Sequence, residues 1–167
     1  MKQSELDKIL EDHKKWLDGD LEGVRANLTG ANLTDCDLTR ADLTWADLTR
    51  ANLTGAYLSA IKQDLFTKLV LAHNEIPGLY IALNTGRVDG SIYEGECACF
   101  VGTIANLRGE KYDQLTIPLE PDSSSPTERW FMAIKKGDRP ETNPVSKITV
   151  KWIEEYAKQN NINLITE

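Results

Sequence analysis

"ANLTG ANLTD CDLTR ADLTW ADLTR ANLTG AYLSA", running from Ala26 to Ala60, decides how this chain is read. It is one five-residue phrase written seven times. A period of five matches neither the 3.6 residues of a helical turn nor the alternation of a strand. Ala holds the first place of every copy, with Cys36 the one exception, and Leu holds the third from Leu28 to Leu58. The second place is Asn or Asp until Tyr57, and the fourth is Thr until Ser59. Two inward positions in five, one small and one large, suit a chain that turns a corner every five residues. Such a chain stacks coil on coil, with layers roughly 4.8 Å apart.

This A-[DN]-L-x-x pattern resembles the pentapeptide repeat family. The resemblance implies a right-handed four-sided β-helix with five residues per side. Leu21–Arg25 reads as a degraded copy, with Gly23 where the leucine is due, and Ile61 and Gln63 end the column. At four sides to a coil, seven copies make under two coils, a stack only about 10 Å tall. A stack so short needs covers at both ends. The expected fold class is therefore α+β: a short right-handed quadrilateral β-helix, an N-terminal capping helix and a mainly α-helical C-terminal domain.

The flanks fit that expectation. Residues 4 to 18 read as a helix capped by Ser4, with Asp7 in the capping-box place and Gly19 as its stop. Leu6, Ile9, Leu10, His13, Trp16 and Leu17 fall on one face. Beyond the repeat, helical patterns run at about 62–74, from Pro77 to Gly86, at about 95–108, from Ser125 to Gly137 and at about 147–159. The fourth of these opens on a capping signal, Ser125–Pro126–x–Glu128, after a loop holding Pro118 and Pro121. The last residues, from Asn160, read as a frayed tail or a short strand. The domain organisation expected is 1–18 cap, 19–61 repeat and 62–167 helical domain. In the last, "VDGSIYEGECACFVGTIANLRG" and "PDSSSPTERWFMAIKKGD" resemble uncharacterised domains of phage and prophage proteins.

Catalytic chemistry finds little footing. On a helix Cys97 and Cys99 would point about 200° apart, away from any shared metal ion, and zinc ligands come at other spacings and in two pairs. A triad of Cys97 or Cys99 with His73 and Glu96 has no supporting spacing. "DSSS" at Asp122–Ser125 lacks the glycines and lysine of a phosphate loop. No catalytic residue, metal ligand or cofactor is expected, and an enzyme is the least favoured reading. Three cysteines without an export signal point to reduced thiols in a bacterial cytoplasm. No apolar run is long enough for a membrane span.

Charge bears on partners. The formal net charge of −7 argues against direct nucleic-acid binding and leaves room for a basic partner. Residues 1–18, 19–60 and 61–167 carry nets of −1, −3 and −3, so acidity is not concentrated in the repeat. Some pentapeptide repeat proteins are long acidic rods that imitate duplex DNA and bind gyrase. Here Asp37, Asp42 and Asp47 sit on successive sides and point three ways, which weighs against that transfer. Trp45, in an outward fifth place, either packs on the helical domain or anchors a partner.

The function expected is a non-enzymatic protein-binding module. Its partner is a protein with a basic, nucleic-acid-binding surface, met by Asp35, Asp37, Asp42, Asp47 and Trp45. The phage resemblance implies an inhibitor or protector acting on a host defence complex, such as a CRISPR effector, or on a topoisomerase. The alternatives are a scaffold that pairs with a second copy across an uncovered coil end and a small enzyme.

Overall fold

A computed structural model describes residues 1–115, 119–122 and 124–165. Pro118, and Ser123 within "DSSS", lie outside the described residues, as do the last two residues of the tail. Among the described residues there are six α-helices: α1 (Gln3–Leu17), α2 (Ser59–Leu71), α3 (Ile76–Thr85), α4 (Phe100–Arg108), α5 (Pro126–Phe131) and α6 (Pro144–Gln159). Single 3-10 turns follow α2 and α4, at His73–Glu75 and Tyr112–Gln114.

The expected β-helix is not formed. Among the described residues the chain has no strand and no sheet. The repeat makes three isolated parallel bridges, Asn27 to Asp47, Asn32 to Asn52 and Asp37 to Tyr57. The reason lies in the period. Each of the first six copies spends its fourth and fifth residues on a turn, in which the next first-place N–H donates to the leucine carbonyl three residues back. Ala31 does so to Leu28 and Ala56 to Leu53, at 3.0 and 3.1 Å. One residue per side is left to bridge, and a strand needs a run of them. The α+β class therefore gives way to helices around a coil of turns.

That coil has its own logic. Twenty residues after each bridging residue the chain returns over itself. Asp47 donates its N–H to the Ala26 carbonyl (3.0 Å) and accepts from the Leu28 N–H (2.8 Å). All seven third-place leucines are buried. The second-place preference for Asn or Asp also has a local cause. Each side chain from Asn27 to Asn52 accepts the N–H of the Thr two residues on, at 2.9–3.1 Å. Either residue closes this Asx turn through its Oδ1, so the turn itself does not distinguish amide from carboxylate. At most corners the fifth residue is left-handed, as at Gly30, Asp35, Trp45, Arg50 and Gly55, the conformation a type II turn requires at that place.

α1 lies across the first coil and satisfies its exposed backbone edge. The Gln3 side-chain amide donates to the Asp37 carbonyl (3.2 Å) and accepts the Asp37 N–H (2.8 Å), much as another coil would. The Met1 amine reaches the Asn32 carbonyl at 2.7 Å. Leu6 and His13 are fully buried beneath the helix, with Ile9 and Leu10 packed beside them. The helix starts one residue earlier than its sequence suggests. Glu5, not Asp7, accepts the Lys2 N–H, and Ser4 lies within the first turn instead of capping it. Trp16 stays 37% exposed and stacks on His13. Gly23 breaks the repeat because it passes against the backbone of Trp16, where any Cβ would collide.

After Leu58 the chain enters α2. Ile61, Leu65 and Leu69 join the leucine column in one continuous core with Phe100, Phe131 and Ile153. α2 packs on α5 and α3 on α6, with α4 against α3 and α5. Two helix starts and one cap differ from the sequence reading. α4 begins at Phe100, so Cys97–Cys99 lies outside the helix, with Cys97 in a bend, Ala98 bridging Val88 and Cys99 extended. α5 does begin at Pro126, yet the Ser125 side chain does not cap it. Asp64 of α2 accepts both the Ser125 hydroxyl and the Thr127 N–H at 2.9 Å, while Glu128 accepts the Asp122 N–H. α6 begins at Pro144, because Asn143 caps Val145 and Ser146 through its side chain, at 2.8 and 3.2 Å.

Candidate functional site

The residues expected to meet a partner do not form one patch. Asp37 is exposed. Its carboxylate is held below the usual range by the Thr39 hydroxyl first and the Thr39 N–H second, with Arg40 nearby. Asp47 is held down in the same way by Thr49, with a smaller contribution from Lys135. Asp42 pairs with Arg129 of α5, Oδ2 to Nε at 3.3 Å, which ties the repeat to the helices. Asp35 occupies a left-handed corner against Gly55. Trp45 occupies another such corner and is 40% exposed.

α1 joins two of the aspartates to new company. A groove of about 570 Å3 runs between the helix and the repeat, lined by Asp7, Glu11, Asp37 and Asp42. Lys14 and Arg40 also border it, with Gln3, Leu10 and Ala41 between them. Asp7 and Glu11 stand one helical turn apart on the exposed face of α1. Their spacing was present in the sequence, yet nothing there placed α1 beside Asp37. Asp35, Asp47 and Trp45 lie outside this groove.

The interior groups have structural duties. Cys99 is buried, its thiol pushed up to about 11 by that burial, and its Sγ accepts the Gly102 N–H at the head of α4. Burial, and then the neighbouring Glu128, also raise the Tyr93 phenol far above its ordinary value. Its hydroxyl donates to that carboxylate at 2.8 Å. A raised thiol is a poor nucleophile. His73 and Glu96 are exposed, and among the described residues neither forms a hydrogen bond with a thiol.

Residues 25–61 match the family model for pentapeptide repeats, in eight copies. The repeat is thus identified as such over that span, which takes in the first turn of α2 and leaves the rest of the C-terminal helices outside the match. No curated protein and no solved structure matches the chain. Among the described residues no helix is long and apolar enough to cross a membrane.

Proposed function

We propose that the protein is a non-enzymatic protein-binding module that engages a basic surface through the groove between α1 and the repeat. The observation that carries this reading is the convergence of Asp7, Glu11, Asp37 and Asp42 on that groove, against two cations. Repeat coils commonly serve as rigid presenting surfaces, and the match over residues 25–61 supports a binding role. Carboxylates on such a surface favour partners of opposite potential and speed their encounter at low salt. Proteins that handle nucleic acid offer basic channels of the required sign. Within that class our reading is a phage- or prophage-encoded inhibitor or protector acting on a host defence complex or topoisomerase. That narrower reading rests on the phage likeness read from two C-terminal segments of the sequence alone.

The test is capture from bacterial lysate with mass identification, run in parallel on the wild type and on Asp7→Lys/Glu11→Lys/Asp37→Lys. Asp42 is spared because it holds Arg129. The expected result is a basic nucleic-acid-handling protein that the triple variant loses and that salt releases. Equal recovery of that protein by the triple variant overturns the reading.

A further inference from the structure

The coil has a second edge, and α1 is nowhere near it. On the side Ala51–Gly55, Asn52 turns its N–H and C=O back to Ala31 and Leu33, each at 2.8 Å. Geometry then aims the Ala51 carbonyl and the Leu53 N–H the other way. Among the described residues neither has a hydrogen-bond partner. The two groups repeat, one layer on, the Ala31 C=O and Leu33 N–H that Asn52 itself fills. The open edge is thus a receptor for one more extended segment.

α6 stands opposite that edge and makes it a groove of about 560 Å3. Its wall presents Lys147, Ile148, Lys151 and Trp152. Ile148 and Trp152 are apolar yet only half-buried. Lys147 and Lys151 lie one helical turn apart and exposed, and among the described residues neither forms an ion pair. Lys62, also in the lining, is already held by Glu155 at 2.7 Å. The rim carries Tyr57, 61% exposed. A cationic and apolar wall facing unpaired backbone groups stands out in a chain of net charge −7.

We propose that this groove binds an extended acidic segment of a partner protein. The segment adds to the edge of Ala51–Gly55 by backbone hydrogen bonds and sets carboxylates against Lys147 and Lys151. Backbone pairing supplies the docking and the helix wall supplies the selectivity, because alternate side chains of an added segment face α6. A second copy of this chain is the poorer occupant. A two-fold contact through the groove would bring Lys147 and Lys151 towards their own equivalents.

The probe is an acetylated nine-residue peptide of alternating Glu and Val, titrated into the intact protein. Leu53 amide exchange and tryptophan fluorescence are the readouts. Saturable binding is expected, with Leu53 exchange slowed about tenfold or more. The same peptide with alternate amides N-methylated, and the variant Lys147→Glu/Lys151→Glu, are each expected to lose about tenfold in affinity or more. Asp7→Lys/Glu11→Lys is expected to bind the peptide as the wild type does, which separates this proposal from the acidic-groove reading. The absence of saturable binding overturns it, as does equal binding by the lysine variant or an unchanged Leu53 amide. A concentration-dependent dimer in ultracentrifugation, abolished by Lys147→Glu/Lys151→Glu, assigns the groove to a second copy and overturns it as well.

Discussion

His13 donates its Nε2–H to the carbonyl of Thr44 at 2.9 Å from a fully buried position under α1. The tautomer follows from the other ring nitrogen. Nδ1 faces the Ala26 N–H at 3.2 Å, which can only donate, so Nδ1 accepts and the proton sits on Nε2. One neutral imidazole therefore closes the first coil where its start and its fourth side meet. Burial lowers the His13 pKa, opposed in part by the Thr44 carbonyl and by Asp42.

The sign of the pH dependence follows. Above about pH 7 both folded and unfolded chains hold His13 neutral, given an unfolded value near 6.5. As pH falls, the unfolded chain takes the proton first, so stability drops until the lower folded value is passed. His13→Leu removes this dependence and leaves the buried Ala26 N–H and the half-buried Thr44 carbonyl without His13 as partner, at a cost of roughly 1–3 kcal/mol. Denaturant melts of both proteins at pH 7.5 and 5.5 check it. The difference between them should shrink at the lower pH.

Asp64 caps α5 from another helix, and this makes a distinct prediction. Asp64→Ala removes the acceptor of both the Thr127 N–H and the Ser125 hydroxyl and should cost about 1–2 kcal/mol. Asp64→Asn keeps one acceptor oxygen and should cost less. Ser125→Ala should cost less still, because its hydroxyl is not the cap. Equilibrium unfolding of the three variants ranks them, and a Ser125→Ala loss larger than that of Asp64→Ala would refute the arrangement.

The second places of the repeat separate fold from charge. Asn32→Asp and Asp37→Asn should both leave thermal unfolding nearly unchanged, since either side chain closes the turn to Thr34 or Thr39. Asn32→Ala should cost about 0.5–1.5 kcal/mol by losing its turn hydrogen bond. Asp37→Asn is thus a clean probe of partner binding. Asp42→Asn is not, since it also weakens the tie to Arg129.

Corners give a test of backbone strain. Gly30 is left-handed with open space around it, so Gly30→Ala should lose about 1 kcal/mol from conformation alone. Arg50 holds a similar conformation with a side chain attached, and Arg50→Gly should gain about 0.5–1 kcal/mol. Gly23→Ala should lose more than Gly30→Ala, because its Cβ meets the Trp16 backbone. Thermal melts of the three variants read the order.

The leucine column and the turns every five residues were legible because the repeat writes the same local chemistry seven times. The β-helix expected from it was an extrapolation that failed. The sequence shows where the chain turns, whereas strand formation depends on how many consecutive residues find a partner. Capping differs from the local signals for a related reason. Ser125 and Ser4 carry the right chemistry for a local cap, but Asp64 competes from a residue far off in the chain, and Glu5 sits where Asp7 was expected to act. Asn143–Pro144 is a strong start signal that lies ahead of the helix expected at about 147–159.

By itself the sequence determined the local unit: small and large inward places, an Asx turn at the second, a corner at the fifth. These depend on neighbours within a few residues. Only the tertiary structure decided which edges are closed and which stay open. His13 and Gln3 reach the first coil because α1 folds across it, and Asp7 and Glu11 join Asp37 by that same packing. Lys147 and Lys151 face the unpaired edge of Ala51–Gly55 because α6 docks against α3 and leaves a gap beside the coil. Such juxtapositions arise from packing between segments far apart in the chain, and no local pattern encodes them.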